Sequence, residues 1–288
     1  RDAATAAEPS SVTSRVRSAG RLCVYLLVTL ALMPVQAALV AMGSSWAVRL
    51  PVFYHRLCWR ILGISVEVRG EMSGVRPTLF VVNHSSYLDI MVLGGLIPGS
   101  FVSKAEVASW PLFGQLAKLQ RTVFIERQAR RVASQRDALQ ARLDAGGNLI
   151  LFPEGTSSNG NRVLPFKSAL FSVAERRVDG APLAVQPVSV AYTRIDGMPV
   201  GYVLRPLFAW YGDMDLAPHL WTMAGCGRLT VTVEFHPVVS SGDWATRREM
   251  AAACGRMVSG GVSAALRGAG SLDSGRRSDD TLKERLGS

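Results

Sequence analysis

The stretch TLFVVNHSSYLDIMVLGGL, residues 78–96, decides the fold. Its first six residues, 78–83, are mostly apolar and β-branched and predict a buried strand, whereas residues 87–96 predict a short apolar helix. A strand that runs directly into a helix is the repeating unit of α/β domains. His84 and Asp89 lie in and just after the connecting turn, five positions apart.

The same alternation continues on both sides of this stretch. Further strands are predicted at 64–70, 121–126, 148–152, 183–193 and 228–239, and helices at 127–147 and from about 243 to 265. The run NLILF, 148–152, is almost entirely apolar, which is typical of a strand covered on both faces. The sequence therefore predicts one α/β domain over residues 60–267.

An uncharged apolar segment, residues 22–42, precedes this domain and follows Arg15, Arg17 and Arg21. Its 21 residues are enough to cross a hydrocarbon layer of ~30 Å at ~1.5 Å per residue. Pro34 interrupts it, so a kinked span, two short interfacial helices and a cleaved signal peptide all fit. We expect a membrane-spanning or interfacial helical segment at 21–48, after a disordered basic lead at 1–20. The polar tail at 268–288 is also expected to be disordered.

The composition limits the classes of function. A net charge of +10 and a mean hydropathy of +0.19 favour an anionic partner or a membrane surface. Four scattered cysteines and four scattered histidines predict neither a disulfide framework nor a metal site, and a reducing compartment fits best. No nucleic-acid-binding motif is present. A non-catalytic protein that binds anionic lipid is the competing class, and it would need no paired histidine and carboxylate.

The pair His84 and Asp89 has two interpretations. Ser86 followed by Asp89 matches a capping box, in which both side chains only stabilise the start of a helix. Alternatively, His84 lies outside the helix and the chain folds back so that Asp89 meets an imidazole nitrogen. That contact would fix the tautomer of the imidazole and make it a general base. Both interpretations can hold at once.

The stretch LFPEGTSSNG, 151–160, follows the buried strand at 148–152 and has two interpretations of its own. Its Pro, Gly, Asn and Ser residues are typical of a surface turn. The ends of strands in open α/β sheets are also where ligands bind, and main-chain N–H groups around Gly155 could hold an anionic oxygen. Arg127 at a predicted strand end and Lys167 in LPFKSALF are further positive groups.

Taken in series, these motifs resemble those of the lysophosphatidic acid acyltransferase (PlsC-like) family of glycerolipid acyltransferases. The resemblance covers about residues 60–240. It rests on four blocks in order, which are NHxxxxD at 83–89, RTVFIER at 121–127, FPEGT at 152–156 and VxPV at 185–188. The stretch FVSKAEV, 101–107, is similar to the segment that joins the first two blocks. The resemblance implies a glycerolipid-acyltransferase-like domain with a mixed, largely buried sheet flanked by helices.

The same resemblance implies roles for individual residues. His84 would be the general base, and Asp89 would orient it. Head-group binding would fall to Arg127, Glu154 and Gly155, and Lys104 stands at the family's basic position. Apart from the resemblance, Thr156 and Lys167 are further candidates for substrate binding. No cofactor is expected, and acyl-CoA or acyl-ACP would be the co-substrate. We expect an enzyme at the bacterial inner membrane, with its catalytic domain on the cytoplasmic side and a lysolipid as acceptor; an acyl carrier protein is a further candidate partner.

One position departs from the family pattern. The FPEGT block commonly continues with Arg, but Ser157 stands there in this sequence. An arginine at that point would clamp a phosphate, and Arg162 or Lys167 are candidate substitutes for it. We expect acylation of 1-acylglycerol-3-phosphate to phosphatidic acid, with acylation of lyso-ornithine lipid as the alternative, because FPEGTSSNGNRVLPFKSALF resembles that branch.

Overall fold

The computed structural model describes residues 13–125 and 132–268 of the chain. The helices are α1 (Arg15–Ala41), α2 (Trp46–Leu62), α3 (Leu88–Gly94), α4 (Phe113–Leu119), α5 (Val132–Asp144), α6 (Leu216–Gly225) and α7 (Arg247–Arg267). The strands are β1 (Ile64–Arg69), β2 (Thr78–Val82), β3 (Gly99–Lys104), β4 (Val123–Ile125), β5 (Asn148–Leu151), β6 (Arg177–Val178), β7 (Ala181–Pro182), β8 (Ala184–Ile195), β9 (Met198–Pro199), β10 (Leu229–Phe235) and β11 (Val239–Ser240).

One mixed sheet organises the domain. Its strand order is β1-β10-β8-β2-β5-β3-β4, with β9 and β11 paired to β8. Strands β8, β2, β5, β3 and β4 run parallel to one another, and β10 is antiparallel to β8. The carboxyl ends of β2, β5, β3 and β8 therefore meet at one edge of the sheet. The predicted α/β fold with a mixed sheet flanked by helices is confirmed.

Strand β2 shows why the centre of the sheet is apolar. All five of its residues are buried, and its side chains alternate between the two faces. Phe80 and Val82 join a cluster formed with α2, α3 and α6, whereas Leu79 and Val81 join a cluster formed with α5 and α7. A strand with helices on both faces needs apolar residues at consecutive positions, and this explains the apolar run that follows Thr78.

The apolar amino-terminal segment forms one continuous helix, α1, with Pro34 inside it. The alternative of two separate short helices, which the sequence allowed, is therefore not observed. The helix begins at Arg15, with Ser14 as its N-cap, so residues 15–20 are helical although they were predicted to belong to a disordered lead. It is long and apolar enough to cross a membrane, and only 17% of its most apolar window is buried, unlike the core helix of a soluble protein.

Several elements differ from the sequence prediction or were not predicted. Helices α2, α4 and α6 and strand β3 were not expected, and the predicted strand at 121–126 begins two residues later, as β4 at Val123–Ile125. Residues 126–131, including Glu126 and Arg127, lie outside the described residues. So do residues 1–12 and the predicted disordered tail beyond Gly268.

Candidate active site

The turn after β2 is tied to the neighbouring strand β8. The Asn83 amide donates to the carbonyl of Val190, and the Val190 N–H donates back to Asn83 Oδ1, at 2.9 and 2.8 Å. These two bonds continue the strand pairing one residue beyond β2 through a side chain. The chain then leaves the sheet, so His84 is placed at the carboxyl edge where ligands bind in open α/β sheets.

His84 and Asp89 are in direct contact. The distance from His84 Nδ1 to Asp89 Oδ2 is 2.9 Å. The same carboxylate oxygen accepts the backbone N–H groups of Ser85 and Ser86, at 2.7 and 2.9 Å. Because an ionised carboxylate can only accept, Nδ1 carries the proton and the lone pair of His84 is on Nε2. The imidazole is 21% exposed and Asp89 is fully buried.

The capping-box interpretation holds only in part. The Ser86 N–H does donate to Asp89, as in the reciprocal half of that motif. The N-cap of α3, however, is Tyr87, which makes no side-chain capping bond. The carboxylate of Asp89 therefore serves the turn and the imidazole at the same time, as the second interpretation requires.

Tyr192 supplies a fourth hydrogen bond to Asp89. Its hydroxyl, buried on β8, donates to Asp89 Oδ1 over 2.6 Å. Burial, and secondarily the charge of Asp89, raises the pKa of Tyr192 well above its usual value, so the hydroxyl stays protonated. The Asp89 carboxylate is thus buried, and both of its oxygens are occupied by donors. Sequence reasoning missed Tyr192, because nothing in the β8 pattern marks it as a partner of Asp89.

The imidazole plane is fixed by an aromatic stack. Its ring centroid lies 4.2 Å from that of Phe152, with 22° between the planes. Phe152 in turn stacks on Phe101, at 6.2 Å and 16°. With Nδ1 held by Asp89 and one ring face held by Phe152, His84 presents Nε2 in a single direction.

Glu154 lies beneath the catalytic turn and is 1% exposed. Its two carboxylate oxygens accept the backbone N–H of His84 at 2.7 Å and of Leu164 at 2.8 Å. Burial raises the pKa of Glu154 to about 7, although these N–H donors and His84 oppose the rise. This geometry favours a positioning role, in which Glu154 joins the turn at His84 to the loop after β5, over direct contact with substrate.

Gly155 occupies a left-handed conformation, with φ +67°, and its N–H donates to the carbonyl of Phe152. That N–H is therefore used inside the turn instead of being free for an anion. A Cβ at Gly155 would lie 3.0 Å from Lys167 Nζ, so glycine makes room for the ammonium group. Lys167 is exposed, and its backbone N–H donates to Pro153.

The structure thus brings some predicted site residues together and leaves others apart. His84, Asp89, Glu154, Gly155 and Lys167 form one connected group. Thr156 is exposed on the same loop, and Lys104 is exposed at the end of β3, on the same edge of the sheet. Arg127 lies outside the described residues. The substrate contacts expected for this set stay predictions.

Ser157, at the position where the family commonly has Arg, has a structural role. Its hydroxyl donates to the carbonyl of Trp210 over 2.6 Å, and the backbone N–H of Trp210 donates to the carbonyl of Ser85 over 2.8 Å. Trp210 therefore links the loop after β5 to the catalytic turn. Sequence reasoning missed this link, since Trp210 lies in an irregular segment with no pattern of its own.

A cavity of about 170 Å³ opens beside the site. It is lined mainly by apolar side chains of α1, α2 and α4, and Phe101 connects it to the stack that carries His84. His55 is among its few polar residues, and burial lowers the pKa of His55 to about 4, which keeps it neutral. A narrow apolar cavity of this kind suits a hydrocarbon chain.

A second histidine pair is not a catalytic site. His236 Nε2 lies 2.7 Å from Ser189 Oγ, and Glu234 is 3.8 Å from the other ring nitrogen. Ser189, however, donates its own proton to the carbonyl of Val258 and is 1% exposed. Its hydroxyl is therefore neither activated nor accessible, and the arrangement joins β8 to α7.

Comparison with known proteins agrees with this geometry. Residues 65–191 match the family model described as Acyltransferase. A lyso-ornithine lipid O-acyltransferase of Brucella abortus is 44% identical over 211 residues, which is 72% of this chain and 79% of that protein. The chain belongs to the acyltransferase family. The resemblance recognised from the four sequence blocks is confirmed.

Other relatives of this acyltransferase carry two different names. A lyso-ornithine lipid O-acyltransferase of Rhizobium meliloti is 41% identical over 258 residues, or 88% of each chain. A 1-acyl-sn-glycerol-3-phosphate acyltransferase of Neisseria gonorrhoeae is 36% identical over 177 residues, covering 60% of this chain and 65% of that protein. The crystal structure of the Thermotoga maritima acyltransferase PlsC superposes with a TM-score of 0.57 at 21% identity, over 84% of this chain and 96% of that one, and shows a shared fold.

Proposed function

We propose that this acyltransferase moves a fatty acyl group from an acyl thioester, acyl-CoA or acyl-ACP, to the hydroxyl of lyso-ornithine lipid. The supporting observation is that relatives with 44% and 41% identity carry the name lyso-ornithine lipid O-acyltransferase. The alternative considered from sequence is thus preferred to 1-acylglycerol-3-phosphate. Ser157 is consistent with this choice, because it bonds Trp210 where a phosphate clamp would otherwise stand.

The mechanism follows from Nε2 of His84, the ring nitrogen that has no hydrogen-bond partner within residues 13–125 and 132–268. The acceptor hydroxyl donates a hydrogen bond to His84 Nε2, which removes the proton as the oxygen attacks the thioester carbonyl carbon. Asp89 stabilises the imidazolium through the bond to Nδ1. The tetrahedral intermediate then collapses, the C–S bond breaks, and His84 returns its proton to the departing sulfur. The products are an ester and a free thiol, and no cofactor takes part.

We further propose that α1 lies along the membrane surface instead of crossing the bilayer. Near its start, the Ser14 N–H donates to the carbonyl of Gly225, and near its end Gln36 donates to the carbonyl of Leu119. These anchors are ~33 Å apart at ~1.5 Å per residue, so nearly the whole helix is held against the catalytic domain. A crossing helix would carry α4 and α6 into the hydrocarbon with it.

The outward surface of the two amino-terminal helices supports this arrangement. Leu27 and Leu30 of α1 and Trp46 and Phe53 of α2 are between 57% and 63% exposed. Such a surface is expected of a helix pair buried in one leaflet. From there, a lysolipid would reach His84 without leaving the membrane. We propose the bilayer to be the bacterial inner membrane, with the site on the cytoplasmic side where acyl thioesters are made.

The purified full chain in mixed micelles tests the proposed reaction. Radiolabelled acyl-CoA and acyl-ACP are offered with lyso-ornithine lipid and, in parallel, with lysophosphatidate. We expect kcat/KM to favour lyso-ornithine lipid by about tenfold or more, a difference of ~1.4 kcal/mol per decade. His84→Ala should lose about 10²–10⁴-fold in kcat while keeping its melting temperature. Equal or greater activity with lysophosphatidate would refute the acceptor assignment, and full activity of His84→Ala would refute the mechanism.

A further inference from the structure

Four arginines line one open groove at the amino-terminal end of α1. They are Arg17 and Arg21 of α1, Arg194 of β8 and Arg228 before β10, and the groove has a volume of about 800 Å³. Two carboxylates, Glu67 and Asp196, also line it. Four positive and two negative side chains leave a formal excess of two positive charges. The proposed reaction does not use any of these residues.

Two of the arginines are hydrogen-bonded to the backbone. Nη1 of Arg17 and of Arg21 donates to the carbonyl of Cys226, at 3.1 and 2.7 Å, where α6 ends. A cation at the carboxyl end of a helix is favourable, and this accounts for one nitrogen of each guanidinium. A Cβ at Gly63 would overlap Arg21 Nη2, so glycine makes room for the second nitrogen. Since a guanidinium has five N–H donors, each group keeps donors for another partner.

Capping α6 does not explain why the other two arginines converge on the same groove. Arg194 bonds Glu67 through Nη1 at 3.0 Å, and that pair is partly exposed on both sides. Asp196 accepts the backbone N–H of Arg228 at 2.7 Å. Glu67 thus orients the guanidinium of Arg194, and Asp196 orients the backbone at Arg228. The two carboxylates do not neutralise the four arginines of the groove.

The groove lies at the border of the surface that we assign to the membrane. Arg17 and Arg21 immediately precede the exposed apolar residues of α1, which include Leu27. Trp221 of α6 is 42% exposed at the same level, where its carbonyl accepts the hydroxyl of Ser18. Arginines and an exposed tryptophan beside an apolar surface are typical of head-group depth.

The groove also shares an edge of the sheet with the active site. Because β8 runs parallel to β2 and continues beyond its end, Arg194 lies past the level of His84 at the same edge. A membrane that presents lysolipid to His84 would therefore present its head groups to the groove.

We propose that this arginine groove binds the phosphate of an anionic membrane phospholipid and so holds the enzyme in place on the bilayer. Paired guanidinium groups match phosphate oxygens in geometry and charge. The negative surface potential of a bacterial membrane adds to the attraction. An acidic protein would suit the charge alone, but the groove continues into an apolar surface, and a lipid matches both parts.

The test measures binding of the full chain to phosphatidylcholine vesicles with and without phosphatidylglycerol. The variant is Arg194→Gln/Arg228→Gln, which leaves the α6 caps of Arg17 and Arg21 intact. The matched control is Arg248→Gln/Arg256→Gln, which removes two exposed arginines of α7 on the opposite face of the sheet. Melting temperatures are compared first, and Arg228→Gln alone replaces the double variant if that variant unfolds.

The double variant should lose about tenfold or more in affinity for phosphatidylglycerol vesicles. Its binding to neutral vesicles should be unchanged, and the control should bind both kinds as the wild type does. Equal affinities of wild type and variant, or an equal loss in the control, would overturn the proposal. Binding to an acidic acyl carrier protein is measured in parallel. A double variant that loses this binding but keeps its affinity for the vesicles would also overturn the proposal.

The inference depends on the proposed position of α1, and the two fail in different ways. A wild-type chain that binds neither neutral nor anionic vesicles contradicts both. A wild-type chain that binds neutral vesicles as tightly as vesicles with phosphatidylglycerol contradicts only the proposed lipid binding by the groove.

Discussion

The hydroxyl of Tyr192 lies 2.6 Å from Asp89 Oδ1, while Oδ2 of the same carboxylate receives His84 and two backbone N–H groups. Tyr192 is thus a positioning residue that acts on the imidazole through Asp89. It is separated from Asp89 by 103 positions in the sequence, and β8 brings it there because that strand extends beyond the end of β2.

Tyr192→Phe should lower kcat and shift the pH dependence of kcat/KM. Without the Tyr192 donor, the negative charge of Asp89 is less neutralised and attracts the imidazolium form of His84 more strongly. The imidazole therefore stays protonated to a higher pH. The acidic limb of the kcat/KM profile should therefore shift to higher pH. Stability should fall by about 1–3 kcal/mol, because a buried oxygen loses its donor.

The pH profile separates positioning from a purely structural role. Tyr25→Phe is a suitable control, since Tyr25 is a buried tyrosine of α1 outside the carboxylate network. It should leave the acidic limb unchanged. An unshifted acidic limb in Tyr192→Phe, with stability lowered, would show that the hydroxyl only supports the fold.

The buried carboxyl of Glu154 should make the stability of the fold depend on pH. Burial raises its pKa from 4.5 to about 7. A carboxyl whose pKa is higher in the folded state adds stability below pH 4.5, and that contribution is lost as the pH rises to about 7. Glu154→Gln cannot ionise. The wild-type advantage in unfolding free energy over this variant should therefore shrink by roughly 3 kcal/mol between those two pH values.

Denaturation of both proteins across this pH range measures the difference. Glu175→Gln is the matched control, because Glu175 is exposed and pairs with Arg247 at 3.6 Å. Its difference from the wild type should show no such fall. A constant difference between the wild type and Glu154→Gln would mean that Glu154 ionises at its ordinary pKa in the folded enzyme.

The sequence located the catalytic turn because the turn depends on local features. An apolar strand, a polar turn and a short helix over 78–96 placed His84 and Asp89 at a strand end, and β2 and α3 agree within a few residues. Glu154 was found through its motif, but its hydrogen bond to the His84 backbone joins loops 70 positions apart. Such a contact follows from the order β2-β5 in the sheet, which no local pattern specifies.

Helix α2 shows why other elements escaped prediction. Its apolar positions recur at helical spacing, as at Leu50, Tyr54 and Cys58, but arginines and a proline interrupt the run and hide the pattern. His55 and Cys58 are nevertheless buried, and Cys58 packs in the core cluster that includes α3. The local spacing thus predicts an amphipathic helix, whereas the elements that cover its apolar face are distant in sequence and follow only from the assembled domain.

Gly155→Ala should impair substrate use more than stability. A side chain at φ +67° costs about 1–2 kcal/mol, and the new Cβ would also displace Lys167. Gly146→Ala is matched to it, because Gly146 has φ +69° with open space around the Cβ position. Both variants should lose similar stability. Only Gly155→Ala should raise KM for the lysolipid, by about tenfold; equal KM values would remove Lys167 from the acceptor site.

Ser157→Arg tests why this enzyme would prefer an acceptor that carries no phosphate group. An arginine there would offer paired donors to a phosphate but would break the hydrogen bond to Trp210. The ratio of kcat/KM for lysophosphatidate over lyso-ornithine lipid should rise by about tenfold or more.

Ser157→Ala separates the two effects of that substitution. It removes the bond to the Trp210 carbonyl without adding a cation, so both activities should fall together and their ratio should stay constant. If the ratio rises equally in Ser157→Ala and Ser157→Arg, the preference comes from the loop that Trp210 holds and not from a missing positive charge. If neither variant changes it, acceptor choice lies elsewhere, and Arg162 and Lys167 become the residues to vary next.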